Sequence, residues 1–137
     1  MSETVYDLVI EGGRIWSPTT NYVADIAIKG ESIAAIGGPF PAATKRIDAR
    51  GLDVLPGLWH VHCHFREPGH IYKEDFESGS KAAASGGITF CIDMTNNTPH
   101  PTSLEAFEAK KAMVAPKAHL DYALYGGGLY PRTVPDL

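Results

Sequence analysis

The pattern of hydrophobic and polar positions changes character at Pro56-Gly57. Before this point, short runs rich in β-branched and aromatic residues alternate with glycine and proline, as is typical of strands and turns. The predicted strands are residues 6–10, 14–16, 23–28, 32–36 and 46–47. Lys29-Gly30 lies between two of these runs and predicts a hairpin turn. The segment is therefore interpreted as part of a small antiparallel sheet or sandwich.

After Pro56-Gly57, longer apolar runs alternate with stretches of helical periodicity. Strands are predicted at residues 58–65, 88–94 and 120–125, and helices at 72–85 and from Thr102 to about Ala115. Gly86-Gly87 is a stop signal for the first helix, and Thr102 with Glu105 forms a capping-box pattern for the second. The order strand, helix, strand, helix, strand indicates an α/β fold with a parallel sheet and crossover connections.

The segment 60–66 alternates side chains that bear nitrogen with apolar ones. In an extended chain the two sets point to opposite faces. The first set is His60, His62, His64 and Arg66, and the second is Val61, Cys63 and Phe65. Neutral imidazole is the commonest protein metal ligand, and two imidazoles one pleat apart can share an ion. The alternative is that the strand ends in water and its polar face is only solvated.

Two neighbouring features favour the metal hypothesis. The apolar run 52–59 before the histidines predicts a buried parallel strand, and the turn residues Pro68-Gly69 end it directly afterwards. The polar face therefore falls at the carboxyl end of the strand, where α/β barrels carry their chemistry. Glu67, next to Arg66 in the chain, is expected on the opposite face, so a salt bridge between the two is disfavoured.

Composition excludes several classes of partner. The formal net charge is −4, from 16 acidic and 12 basic residues, and no basic run suggests nucleic acid. No apolar stretch approaches the roughly 18 residues of a membrane span, and no secretory signal opens the chain. Cys63 and Cys91 both lie in apolar surroundings and are interpreted as buried free thiols of a reducing, cytoplasmic compartment; a disulfide stays open.

A combined motif in the second half of the chain resembles the cyclic amidohydrolases, and among them it is most similar to dihydroorotase. It consists of Pro-Gly-Leu at 56–58, His-Cys-His-Phe-Arg-Glu-Pro-Gly at 62–69 and Tyr-Lys-Glu-Asp-Phe-Glu-Ser-Gly at 72–79. Ala-Ala-Ala-Ser-Gly-Gly-Ile-Thr at 82–89 and Asp-Met-Thr-Asn at 93–96 complete it.

The resemblance implies a (β/α)₈ barrel of the TIM type preceded by a small β-sandwich. Residues 1–55 would be part of the sandwich, and residues 56–137, with about three strands and two helices, would be the first units of an incomplete barrel. One or two divalent ions, usually Zn²⁺, would bind at the barrel mouth, with His62 and His64 as ligands. Arg66 and Asn96 would contact a substrate carboxylate. In such enzymes the metal activates water for attack on the ring amide and polarises the carbonyl.

The sequence departs from the family pattern at two positions. His60 stands where the family usually has aspartate, and Thr95 stands where it usually has proline. His60 and Asp93 are therefore expected beside the metal ligands, not on the metal itself. The family's bridging carboxylated lysine, two later histidines and catalytic aspartate have no counterpart here. No catalytic residue is assigned in this segment, and the 137-residue chain alone is expected to be inactive.

Two functional hypotheses follow. The first is the N-terminal portion of a metal-dependent hydrolase that opens a small cyclic amide, dihydroorotase-like and acting in pyrimidine biosynthesis, with allantoinase and hydantoinase or dihydropyrimidinase as rivals. Arg66 favours dihydroorotase because dihydropyrimidines lack the carboxylate that a guanidinium would bind. The second is a truncated, non-catalytic structural homologue. Self-association into a homo-oligomer is left open.

Overall fold

The computed structural model describes residues 5–127, which form two compact units divided between Pro56 and Gly57. The first unit is a five-stranded sheet in which the order is β3-β2-β1-β4 and β5 also pairs with β1. Its strands are β1 (Tyr6–Trp16), β2 (Asn21–Lys29), β3 (Ser32–Gly37), β4 (Ala43–Asp48) and β5 (Asp53–Val54). β4 and β5 run parallel to β1, so this sheet is mixed, and the prediction of an antiparallel sheet is wrong for these two strands.

Gly12 joins two predicted strands into the single strand β1. The register of β1 against β2 shifts between Ile10 and Gly13, and Gly12 has a φ of 66°, in the left-handed region that favours glycine. Its N–H donates to Asp25 Oδ1 at 2.8 Å. The glycine pair is therefore a bulge within one strand and not the turn that the sequence suggested. The predicted hairpin is confirmed, because β2 and β3 pair antiparallel, but its turn is Gly30-Glu31, one residue later than the predicted Lys29-Gly30.

The second unit is a three-stranded parallel sheet with one helix in each crossover. Its elements are β6 (Leu58–Cys63), α1 (Phe76–Ser85), β7 (Ile88–Asp93), α2 (Leu104–Val114) and β8 (Asp121–Leu124). The sheet order β6-β7-β8 follows the order of the chain. The predicted α/β class and the element order of this half are confirmed. No helix in residues 5–127 is long and apolar enough to span a membrane.

Both helices begin later than the periodicity predicted, because polar side chains cap them. Asp75 precedes α1 and accepts a hydrogen bond from the Ser78 N–H at 2.7 Å, so this helix starts at Phe76 instead of residue 72. Ser103, not Thr102, caps α2, and its hydroxyl accepts from the Ala106 N–H at 3.2 Å. Side-chain acceptors at these positions satisfy amide groups that a helix start leaves open.

The core of the second unit lies between the sheet and the helices. Its buried members are Cys63, Phe65, Phe76, Cys91 and Val114. The Phe76 ring lies 4.8 Å from the Phe65 ring and 6.4 Å from the Tyr122 ring, measured between centroids. Both cysteines are buried and free, as the sequence predicted.

Helix α2 departs from its predicted apolar stripe. Val114 is buried as expected, whereas Leu104 is 55% exposed. The buried side chain on the stripe between them is Lys110. A charged residue thus occupies a position that the helical period assigns to the core.

Replacement of Phe76 by alanine is expected to lower the free energy of unfolding by about 3–5 kcal/mol, since the side chain is fully buried. The measurement is equilibrium denaturation in urea. Leu104→Ala, which truncates an exposed side chain, is the control and should change stability by less than about 0.5 kcal/mol. Equal losses in the two variants would contradict the placement of the core.

Candidate metal and substrate site

The candidate site lies where β6 ends. β6 ends at Cys63, so His60 and His62 are on the strand, whereas His64 lies beyond it. The predicted strand to residue 65 is therefore too long; the ladder between β6 and β7 is already irregular between His60 and Cys63.

Burial nevertheless alternates past the end of the strand. Cys63, Phe65 and Glu67 are buried, whereas His64 and Arg66 are half-buried. The predicted alternation of faces is thus confirmed for residues 63–67, whereas Val61, which was predicted on the apolar face, is 53% exposed.

The predicted burial of the strand before the histidines is wrong in the described part of the chain. Leu58 is 57% exposed and Trp59 is 71% exposed. β6 pairs with β7 alone in this sheet, so its other side has no neighbouring strand.

His62 and His64 are brought close together. Their ring centroids are 5.1 Å apart, and the rings are edge to face at 80°. Metal–nitrogen bonds of about 2.0–2.1 Å allow two imidazoles at such a separation to bind one zinc ion. No group of three His, Cys, Asp or Glu that could hold a metal occurs within residues 5–127. Imidazole nitrogen is a suitable ligand for a divalent metal such as zinc. The two histidines would supply only part of the ligands that such an ion needs.

Asn96 lies in the turn after β7 and contacts His64. Its Oδ1 is 2.7 Å from His64 Nδ1. This contact is a hydrogen bond when Nδ1 carries the proton and the amide oxygen accepts it. The lone pair then lies on His64 Nε2, which is the arrangement that a metal-binding histidine needs.

His60 is exposed, and its Nδ1 accepts from the His62 N–H at 3.4 Å, which is longer than a usual hydrogen bond and therefore weak. The structure thus places it one pleat behind His62 on the same strand. Arg66 has a φ of 59°, which is uncommon for a residue with a side chain. The His70 N–H donates to the Arg66 carbonyl at 2.9 Å and closes a turn over residues 66–70.

Glu67 faces away from Arg66, as the alternation predicted. Its buried carboxylate accepts from the Phe76 N–H at 3.0 Å and forms a salt bridge with Lys117. Among residues 5–127, no carboxylate lies within ion-pair distance of the Arg66 guanidinium. Arg66 is therefore available for an anionic group that residues 5–127 do not supply.

Asp93, one of the predicted site residues, uses both carboxylate oxygens in buried hydrogen bonds. Its Oδ1 accepts from the Phe65 N–H at 2.9 Å, and its Oδ2 accepts from Lys110 Nζ at 2.6 Å. Lys110 also donates to Asn97 Oδ1 at 2.5 Å. Lys110 and Asn97 are not among the residues that the sequence predicted for the site. The available signal was a lysine on the apolar stripe of α2.

The two thiols are buried, and burial raises the pKa of Cys63 and, likewise, the pKa of Cys91. Cys63 Sγ donates to the Ile92 carbonyl at 3.1 Å, and its side chain is buried, whereas the neighbouring His64 is half-buried. The candidate ligands of the described residues are therefore the imidazoles.

A family model, similar sequences and similar structures all relate this chain to the amidohydrolases. The model of the amidohydrolase family matches residues 54–133. An allantoinase from Rubrobacter xylanophilus is 41% identical over 126 residues, which is 90% of this chain and 28% of that protein. An allantoinase from Solibacter usitatus is 40% identical over 132 residues, or 96% of this chain and 29% of that protein.

Among solved structures, the L-hydantoinase (dihydropyrimidinase) from Arthrobacter aurescens superimposes with a TM-score of 0.88 at 34% sequence identity. The match covers 96% of this chain and 30% of the hydantoinase. The chain thus spans less than a third of the length of these relatives. Because the family model covers more than half of the sequence, the chain belongs to the amidohydrolase family.

Proposed function

We propose that this chain is the N-terminal part of a metal-dependent amidohydrolase that hydrolyses the C–N bond of a small cyclic amide. The observation that carries the proposal is the pair of imidazoles, 5.1 Å apart, at the carboxyl end of a strand in a parallel sheet. The family match and relatives named allantoinase and hydantoinase support it. Because only two candidate ligands are present in residues 5–127, the chain by itself should be inactive.

The second unit is the start of a (β/α)₈ barrel in this proposal, and the first unit is part of a β-sandwich. Two features support the barrel. The strand order β6-β7-β8 repeats the chain order, as it does around a barrel, and both crossovers contain one helix. β6 has one unpaired edge, and its Leu58, Trp59 and Val61 side chains are exposed. The further strands and helices of a closed barrel would pair this edge and cover these side chains.

His62 and His64 would hold the metal, and zinc suits imidazole nitrogen. When bound, such an ion lowers the pKa of water and polarises a carbonyl group. His60 would stay off the metal, because it lies a further pleat, about 7 Å, along the strand. The remaining ligands and the group that carries the proton would come from outside the described residues.

Asn96 has two candidate roles. The resemblance implies contact with a substrate carboxylate, whereas the hydrogen bond to His64 Nδ1 supports orientation of a metal ligand. The two roles are compatible in one geometry. The amide oxygen can accept from His64 while the NH₂ group, which has two donors, stays free for the substrate.

Arg66 would bind the substrate. It is half-buried and has no carboxylate partner within residues 5–127. A substrate such as dihydroorotate would place a carboxylate against the planar guanidinium. The relatives named above instead suggest an uncharged ring, that of allantoin or hydantoin. All of these substrates contain a cyclic amide bond. They differ in whether they carry a carboxylate for Arg66 to bind.

A non-catalytic structural homologue is the second candidate. The observation that favours it is His60, an additional basic side chain at a position where the family usually has a carboxylate. A carboxylate there would help to orient the ligands, whereas an imidazolium would repel a cation. Metal content distinguishes the two candidates.

In the longer protein that contains this chain, His62→Ala and His64→Ala are each expected to remove most of the bound metal, because each deletes a ligand. His60→Ala should retain it. The measurement is metal content by elemental analysis of the purified single variants. Equal loss in all three variants, or loss in His60→Ala alone, would refute the ligand assignment.

Asn96 is expected to hold His64 in the tautomer with the proton on Nδ1. The measurement is the ¹⁵N shift pattern of the His64 ring in metal-free protein at a pH where the imidazole is neutral. Asn96→Leu, which removes the acceptor, should shift the equilibrium toward the Nε2–H form. A wild-type ring already in the Nε2–H form would exclude this role for Asn96.

Arg66→Lys is expected to lower kcat/KM for dihydroorotate by about 1.5–3 kcal/mol of transition-state binding, since a point charge replaces a planar fork. The uncharged rings dihydrouracil, hydantoin and allantoin are the controls and should be affected much less. If Arg66→Lys lowers all substrates equally, or none, Arg66 does not bind a carboxylate. The choice of dihydroorotase over allantoinase or hydantoinase would then lose its main support.

A further inference from the structure

A buried ion pair lies directly behind the candidate site. The side chains of Lys110 and Asp93 are 2% and 1% exposed, and their charged atoms are 2.6 Å apart. Lys110 uses all three ammonium protons: it donates to Asp93 Oδ2, to Asn97 Oδ1 at 2.5 Å and to the Met94 carbonyl at 3.1 Å. The removal of two charges from water is costly, and a hydrophobic pair of similar size is often as stable. Stability alone therefore does not account for this arrangement.

The partners of Lys110 hold the segment after β6 on both sides of Arg66. Asp93 Oδ1 accepts from the Phe65 N–H at 2.9 Å, and Asn97 Nδ2 donates to the Glu67 carbonyl at 2.9 Å. Both contacts are buried. One ammonium group thus fixes two side chains, and each of these fixes one backbone atom next to Arg66.

The backbone between these two anchors is in a conformation that needs support. Arg66 has a φ of 59°, and a residue with a side chain in this region costs on the order of 1–3 kcal/mol, so it persists when its surroundings determine it. His64 directly precedes Phe65 in the same segment. Displacement of the anchors would therefore move an imidazole and a guanidinium together.

We infer that Lys110, through Asp93 and Asn97, is the positioning residue for His64 and Arg66. It orients the segment 64–67 from behind and does not itself contact metal or substrate. The inference rests on the proposed function in that His64 and Arg66 act on a metal and a substrate. It assigns Asp93 a specific role: one carboxylate oxygen receives the lysine, and the other holds the amide between the two site residues.

The test compares Lys110→Met with two control variants in the longer protein. Lys111→Met removes the neighbouring lysine, which is exposed and pairs with Glu108 on the surface. Val114→Ala opens the core one turn further along the same helix and keeps Lys110, Asp93 and Asn97 in place. The first control has the same chemical change, and the second lowers stability by a purely structural route.

Zinc affinity is measured by competition with a chromophoric chelator, below the unfolding temperature of every variant. Lys110→Met is expected to weaken zinc binding about 10- to 100-fold, the range for groups that orient metal ligands. Lys111→Met and Val114→Ala should stay within about two-fold of wild type. Equal weakening in Lys110→Met and Val114→Ala, or wild-type affinity in Lys110→Met, would overturn the inference.

Asn97→Ala is a second variant in case Lys110→Met does not fold. It keeps the ion pair and removes the anchor at Glu67 together with the hydrogen bond that Asn97 accepts from Lys110. It is expected to weaken zinc binding in the same direction by a smaller factor. Unchanged affinity in Asn97→Ala would count against the inference.

Hydrogen exchange separates this inference from the proposed function because it needs no metal. In metal-free protein, the peptide that contains Phe65 should exchange faster in Lys110→Met and Asn97→Ala, whereas the α1 peptide should be unchanged. A wild-type protein that binds no zinc and opens no ring would refute the proposed function but leave this measurement decisive. Unchanged exchange at Phe65 in both variants would refute positioning by Lys110.

Discussion

The buried ion pair between Lys110 and Asp93 is the interaction on which the candidate site depends. It lies where β7 ends, and it connects α2 to the turns that follow two neighbouring strands. Loss of one partner from such a pair leaves an uncompensated charge in the interior, at a cost of about 3–5 kcal/mol. The two side chains are therefore held in one geometry. The Phe65 N–H, which donates to Asp93, is held in position with them.

The parallel sheet explains why these groups meet. Strands β6 and β7 run in the same direction, so their carboxyl ends lie at one edge of the sheet. The Met94 N–H donates to the Cys63 carbonyl at 2.9 Å, and the Thr98 N–H donates to the Pro68 carbonyl at 3.0 Å. The turns after the two strands are thus bonded to each other along their length. His64 and Asn96, 32 residues apart in the chain, come within hydrogen-bond distance as a result.

The two sides of the segment 63–67 differ in burial and in charge pairing. Side chains that face the helices are buried, and the carboxylate among them, Glu67, pairs with Lys117 and accepts from the Phe76 N–H. On the other side, His64 and Arg66 form no salt bridge with a carboxylate of residues 5–127. In the proposed function, an unprotonated imidazole nitrogen would bind the metal and the guanidinium would bind the substrate.

The amino-acid sequence by itself determined the element types and order of the second unit and the alternation that separates His64 and Arg66 from Phe65 and Glu67. Both depend on local periodicity and turn residues, which a sequence displays directly. Its expectations for the ends of elements were less accurate. Asp75 and Ser103 cap the helices, and Gly12 forms a bulge, because competition among neighbouring polar groups and strand pairing decide such details.

Only the tertiary structure decided the role of Lys110. Its position on the inner stripe of α2 is visible in the sequence, but a lysine is tolerated there only if a buried anion lies opposite. That anion, Asp93, is 17 residues away and on a different element. Likewise, the contact of Asn96 with His64 and the left-handed backbone of Arg66 arise from two turns packed side by side. Contacts between distant parts of a chain depend on how its elements pack, which local sequence patterns do not specify.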